Sequence, residues 1–307
     1  MPVKAICLDH LSTTELHPEV RAVMEPFRTE NQALPGAPHQ AGLKARAAVQ
    51  EARRQIADWI GAASPEEIIF NSGATEAANH AIKGLAWAGA GRGRHLLASV
   101  SEHPAVEESL AFLERQGFSC TRVGVDAQGL IDPGAVAKAF RPDTILLATH
   151  LSNHDSGAVQ PVAELAALAR VRGVPVFCDG GAGGGWVPLQ VREAGVDLFS
   201  LAPHRFFGPK ETGILYCRQG VELQSLIHGG RQEEGRRAGT ASVAGPVGAG
   251  AAARLMQREG AAWSERCRHL TVELWKELQA VPNAVLNGPP PGVLRDPRHL
   301  NVSFEFV

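Results

Sequence analysis

The chain has 307 residues, 44% hydrophobic and 20% charged, enough to bury a sizeable core and to set roughly two domains as the starting expectation. Its formal net charge of −2 supplies no overall attraction to nucleic acid or to an anionic membrane, so neither is expected as a partner. No segment approaches the roughly 20 apolar residues of a membrane span, and the start from Met1 to Asp9 has no apolar stretch of signal-peptide length, which makes the cytoplasm the expected compartment.

From about residue 56 to 217, short apolar runs alternate with helical patterns, the signature of a sheet covered by helices on both faces. Ser64-Pro65-Glu66-Glu67 reads as a capping box with proline at the first helical position, and the strand Ile68-Ile69-Phe70 follows it. A helix is predicted from near Thr75, a strand over 96–99, and a helix over 104–116 stopped by Gly117. Asp132-Pro133 opens the next helix. Residues 144–148 form a buried strand candidate, 162–172 a helix ended by Gly173, and 174–178 a strand ending in Asp179. The apolar runs 198–201 and 214–217 close the alternation. The Gly-, Arg- and Glu-rich stretch 229–239 reads as an exposed or interface loop. Two helices are predicted beyond it, near 247–256 and 262–281, before Asn301-Val302-Ser303-Phe304 begins a strand of a second domain. The five cysteines, Cys7, Cys120, Cys178, Cys217 and Cys267, have no Cys-x-x-Cys spacing, so neither a disulfide framework nor a metal site is expected.

Several short stretches place chemistry at element ends. Ser72-Gly73-Ala74-Thr75 lies between a strand and a helix, where free backbone N–H groups and the positive end of the helix dipole suit a phosphate and Thr75 adds a hydroxyl. The same residues also make a helix cap on a glycine turn. Asp179 follows four apolar residues and sits at the carboxyl end of a buried strand, where ligands bind in open α/β sheets. Asp179-Gly180-Gly181 also suits a plain turn. His103 precedes a proline, a position where a histidine also serves as an ordinary loop residue. Asn153-His154-Asp155-Ser156-Gly157 reads equally as a polar turn.

Taken together, Ser72-Gly73-Ala74-Thr75-Glu76, Ser101-Glu102-His103, Asp179 and His204-Arg205-Phe206-Phe207-Gly208-Pro209-Lys210 resemble the cysteine desulfurase branch of the class V aminotransferases, which use pyridoxal 5′-phosphate (PLP). The resemblance runs from about Leu8 to Phe304. It implies the type I PLP-dependent transferase fold, an α/β architecture with a mostly parallel sheet flanked by helices. Residues 15–250 are expected to form the large cofactor-binding domain, with 1–14 and 251–307 in a small, incomplete second one. It further implies that Ala74 and Thr75 hold the phosphate, that Asp179 keeps the pyridine nitrogen protonated, and that His103 stacks on the ring and exchanges protons. Asn153 and His154 fall near the ring hydroxyl, and His204 beside the anchor. Arg237-Ala238-Gly239-Thr240 matches a segment whose threonine, here Thr240, reaches the phosphate of a partner subunit, so a dimer with shared sites is implied.

Arg205 occupies the family's Schiff-base lysine position. Arginine is effectively always protonated and does not form an imine, so PLP is expected to bind noncovalently if it binds. Lys210 matches a second family lysine and is not expected to take over. Ala202 and Ala182 stand where the family has a phosphate-binding serine and a glutamine near the ring oxygen, and His10 and Leu11 replace an Asn-Ala pair. Family members continue for roughly another domain-half, so the loop with the nucleophilic cysteine is expected to lie outside this chain. The leading expectation is a desulfurase-like protein impaired in independent activity, acting as a homodimer or as a heterodimer with an active paralogue. A sulfur acceptor or scaffold protein and an amino acid such as cysteine are the expected partners. The alternatives are an enzyme active without a lysine anchor, completed by a partner chain, and a structural module with an empty pocket.

Overall fold

The computed structural model describes residues 7–305. Its centre is a seven-stranded sheet built from β1 (Ile68–Asn71), β2 (His95–Ser99), β3 (Ser119–Val123), β4 (Thr144–His150), β5 (Val176–Asp179), β6 (Leu198–Leu201) and β7 (Gly213–Cys217), in the order β1-β7-β6-β5-β4-β2-β3. Within this sheet, among the described strands, only β7 runs against the others. Apart from β3, every strand of this sheet is buried along its length, as the short continuous apolar runs require of strands covered on both faces.

Helices α1 (Pro18–Met24), α2 (Pro26–Thr29), α3 (Gln40–Ile60), α4 (Ala74–Gly89), α5 (Pro104–Glu114), α6 (Pro133–Ala139), α7 (Val162–Arg170), α8 (Val191–Ala194) and α9 (Ala244–Leu278) surround the sheet. Alternation along the strands divides the core. Ile69, Leu96, Leu146, Phe177 and Leu215 pack under α4 and α5, whereas Ile68, Cys178, Phe199 and Tyr216 face α1, α3 and α9. Leu97, Leu147 and Val176 meet α6 and α7 on that second face. Asp179 therefore emerges on the α4 side, two residues beyond Phe177.

The helix beyond the Gly/Arg-rich loop corrects the expectation of two helices, because α9 is one helix of 35 residues, continuous through residue 250. Gly260 does not break it. A single interior glycine costs about 1 kcal/mol relative to alanine, and the packing of α9 along α1 and α3 offsets that. Ser64-Pro65-Glu66-Glu67 forms a single 3-10 turn, in which the Glu67 carboxylate accepts from the N–H of Ala63 and of Gln219 rather than closing on Ser64.

The strand at Asn301 is the second member of a small antiparallel pair, β8 (Ala284–Asn287) with β9 (Asn301–Phe304). Buried Arg295 ties this pair together by donating to the carbonyls of Asn287, Pro289 and His299. The same segment is sewn to the loop after β4, through Val159 N–H to Leu294 O at 2.9 Å and Asp296 N–H to Gly157 O at 2.8 Å. No described helix is long and apolar enough to cross a membrane.

His80, on the inward face of α4, is 1% exposed, and neither ring nitrogen has a partner among the described residues. Burial pushes its pKa down to about 4. The unfolded chain thus takes up a proton near pH 6.5 that the native state refuses, so stability is complete above that pH and falls as pH drops toward 4. His80→Leu is expected to lose about 2 kcal/mol less than the wild type between pH 7 and 5, measured by urea denaturation at each pH.

Candidate functional site

At the carboxyl ends of β1, β4, β5 and β6 the described residues enclose a cavity of about 390 Å³. One wall is the start of α4. Gly73 is its N-cap and supplies no capping side chain, so the N–H groups of the first turn keep their donors for a ligand. Asn71 Oδ1 fixes the turn by accepting from Gly73 N–H at 3.1 Å. The close approach of β7 needs Gly213, where a Cβ would meet Asn71 and Gly73. Glu76 does not oppose an anion here. Its carboxylate accepts from Ser72 N–H and Oγ–H and is paired with Arg237. Burial pushes its pKa up, but Arg237 and Ser72 outweigh burial and hold it below the usual carboxylate range. Dipole, free N–H groups and a neutralised acid together make an anion cradle lined by Ala74 and Thr75.

Asp179 forms the floor. Its Oδ1 accepts from Ser200 Oγ–H at 2.5 Å and from Gly181 N–H at 2.9 Å, which orients the carboxylate from two sides. A carboxylate fixed in this way suits a protonated ring nitrogen. His103 is the N-cap of α5, where Nδ1 accepts from Ala105 N–H at 3.1 Å, so the proton of the neutral ring lies on Nε2. Its ring meets that of His154 edge-on at 5.0 Å. Burial, reinforced by His103 and His150 and only partly opposed by Asp155, pushes His154 below its ordinary pKa. The cradle, the acid and the imidazole face fit the three demands of a phosphorylated pyridine.

The last wall is the turn between β6 and β7. His204 Nδ1 bonds Thr13 Oγ1 at 3.2 Å, and burial, with Arg205 and Lys210 adding to it, lowers the His204 pKa. Arg205 lines the cavity, and its guanidinium has no hydrogen-bond or ion-pair partner among the described residues. Burial, and then the nearby Arg298, lower its pKa, yet a guanidinium in this range remains a cation. Its backbone is independently fixed. The Arg205 carbonyl accepts from Trp186 Nε1–H at 2.9 Å and from Arg298 Nη1–H at 3.4 Å. Among the described residues, Lys210, at the exposed rim, is the only amine lining the cavity.

Ala74, Thr75, His103, His154, Asp179, His204 and Arg205 are thus brought together, along with Ala182 and Ala202, which offer no polar atom beyond their backbone. Asn153 is not among them. Its Nδ2 donates to Ser101 O at 2.9 Å, and its Oδ1 accepts from the N–H groups of Asp155 and Ser156, so its amide shapes the loop. Thr240 lies in an adjacent cavity of about 730 Å³ that shares Ser72, Glu211 and Thr212 with the first. Three residues not singled out in the sequence also contribute: Ser200, which orients Asp179, Thr13, which holds His204, and buried His150 at the end of β4.

Residues 6–307 match the family pattern described as Aminotransferase class-V. The chain is similar to a protein named cysteine desulfurase IscS from Dictyoglomus turgidum, 41% identical over 99% of this chain and 77% of that protein. Among solved structures, a NifS-like protein superposes with a TM-score of 0.92 at 32% identity, covering 96% of this chain and 80% of the other. A structure described as SspA in complex with cysteine aligns with a TM-score of 0.78 at 37% identity, over 81% of this chain and 72% of the other.

The turn that presents His204 and Arg205 depends on Thr14, whose Oγ1 donates to His204 O at 2.9 Å and accepts from Phe207 N–H at 2.7 Å. Thr14→Val keeps the shape and removes both bonds. It is expected to lower the unfolding free energy by about 1–3 kcal/mol, read from the midpoint of chemical denaturation.

Proposed function

Because this chain belongs to the class V aminotransferase family, within its PLP-dependent cysteine desulfurases, we propose that it is a member impaired in or lacking independent desulfurase activity. It binds PLP without a covalent bond and serves sulfur transfer as a dimerising or partner-binding subunit. The observation that carries this reading is the Arg205 guanidinium, unpaired among the described residues and facing the cavity, where the resemblance sets the anchoring lysine.

When bound, PLP supplies an electron sink for a carbanion of an amino acid. The rest is the work of the chain. The first turn of α4 binds the phosphate through Ala74 and Thr75, with Glu76 neutralised by Arg237. Asp179, oriented by Ser200 and Gly181, keeps a proton on the ring nitrogen. His103 offers its Nε2 proton at the ring face and His154 buttresses it. Arg205 pairs with an anion, either the phosphate or the carboxylate of the amino acid, in a two-pronged contact. An amino acid such as cysteine is the ligand this arrangement suits.

The thiols support a passive role in sulfur handling. No cysteine lines the cavity among the described residues. Burial pushes Cys120 up to about 12 and Cys217 up to about 11, and it raises Cys178 and Cys267 as well. A sulfur nucleophile must be a thiolate near neutral pH, and these four are not. Sulfur would then be carried by a partner, either an active paralogue paired with this chain or an acceptor or scaffold protein of iron–sulfur cluster assembly. A second copy reaching Thr240 toward the neighbouring cradle fits the shared cavity edges.

The test is the absorbance spectrum of the protein with PLP before and after dialysis and borohydride treatment, compared with Arg205→Lys. The wild type is expected to release its cofactor on dialysis, and borohydride is expected to fix it only in Arg205→Lys, at residue 205 by peptide mapping. Fixation in the wild type at Lys210 would defeat the proposal. Sulfide release from cysteine by the wild type alone would do the same.

A further inference from the structure

One buried pair beside the cavity has no part in the reading above. His150 ends β4 in register with Asp179 at the end of β5, so the two side chains leave the same face of the sheet on neighbouring strands. His150 Nδ1 bonds Glu102 Oε1 at 3.0 Å, with the two side chains 4% and 0% exposed. His150 lines the cavity, yet its Nε2 is buried without a partner among the described residues. Burial works against a charge on this imidazole. The Glu102 carboxylate, with a smaller contribution from Asp179, outweighs burial and raises the pKa above its ordinary value.

A buried polar atom left without a partner costs about 1–3 kcal/mol, and folded chains tolerate few of them unless a ligand or ordered water completes the contact. Several of the other polar groups nearby are already committed, although Ser152 Oγ, on the cavity wall two residues along, is also without a partner among the described residues. Asn153 is bound into its loop, His103 Nδ1 caps α5, and Ala182 has nothing to offer. On the pyridoxal ring, the phosphate falls to α4 and the nitrogen to Asp179. The polar atom that remains is the phenolate oxygen, which is meta to the nitrogen. Neighbouring strands are roughly 4.8 Å apart, a spacing that suits donors to two meta-related ring sites.

We propose that His150 donates its Nε2–H to the phenolate oxygen of the pyridoxal ring, with Glu102 as the positioning residue that holds the imidazole through Nδ1. This rests on the reading of the cavity as a PLP site. His150 and Asp179 then fix the ring's rotation in its own plane from adjacent strands, a task that a covalent anchor otherwise shares and that matters more where residue 205 is arginine.

Pyridoxine 5′-phosphate and its 3-deoxy analogue lack the aldehyde and test noncovalent contacts alone. The wild type is expected to bind the parent compound about tenfold more tightly than the analogue, the ratio expected of one charge-assisted hydrogen bond, in a calorimetric titration. His150→Leu is expected to lose that preference with analogue affinity unchanged, and the absorbance band of the bound phenolate should weaken. His150→Gln, which restores an N–H donor, should recover part of the preference and serves if His150→Leu does not fold. Equal losses for both ligands, or none for either, would overturn the assignment of His150 while leaving the cavity's identity intact. Failure of the wild type to bind either ligand would overturn the PLP reading and this inference with it.

Discussion

Phe207 and Glu211 are non-glycine residues held at φ of 66° and 59°, in the left-handed region that costs roughly 1–2 kcal/mol per residue. Between β6 and β7 the chain must reverse direction while presenting His204, Arg205 and Lys210 to one cavity, and it does so through these two conformations. The compensation at Phe207 is visible. Its N–H donates to Thr14 Oγ1, its carbonyl accepts from His17 N–H at 3.1 Å, and its ring packs edge-on against Trp263 at 5.0 Å and tilted against Trp186 at 5.8 Å. The segment before α1 and the middle of α9 are therefore both bound to the correct placement of Arg205. A site at the carboxyl ends of the sheet's central strands is finished by elements distant in sequence.

The charge pattern of the cavity follows from which groups burial can neutralise. Burial lowers His154 and His204, and His150 escapes because Glu102 lies at hydrogen-bond distance. Arg205 cannot lose its charge. A cavity with guanidinium, helix N-terminus and a carboxylate-paired imidazole on its walls is electropositive around its buried, oriented acid, Asp179, with Glu211 at the exposed rim. That field selects a ligand with several negative oxygens and one protonated nitrogen.

Much of the fold was legible in the sequence where its physics is local. Ile68-Ile69-Phe70, Thr144-Ile145-Leu146-Leu147-Ala148 and Leu198-Phe199-Ser200-Leu201 read as strands because both faces are buried. Ser119-Cys120-Thr121-Arg122-Val123 did not, since an edge strand can stay partly exposed and polar. The expected break between 256 and 262 failed because tertiary packing overrides the single unfavourable propensity of Gly260. At the site, Ala74, Thr75, His103, Asp179 and Arg205 stood in recognisable surroundings at element ends. Asn153 also stood in one, but whether an asparagine turns its amide to the cavity or to its own loop is decided by neighbours such as Ser101 and Ser156. His150 left no signal, because its significance lies in register with Asp179 and contact with Glu102, 48 residues away in sequence.

The backbone at residue 205 is set by contacts that do not involve its side chain. Trp186 and Arg298 hold its carbonyl, Ala202 O accepts from its N–H at 3.0 Å, and Arg298 is itself fixed by Asp296 and by stacking over Trp186 at 4.8 Å. A lysine and an arginine at this position begin from the same place and enter the same space. They differ only in what their ends do: an amine that sheds its proton can bond covalently to an aldehyde, whereas a permanently charged planar fork binds anions. On the proposed reading, electrostatic attraction for a phosphorylated, carboxylated ligand is kept and covalent anchoring at residue 205 is lost. Retention of the oriented Asp179 and capped His103 beside such a residue is what a pocket selected for binding would need, and the remaining ring contacts then carry the orientation that a covalent bond supplies elsewhere.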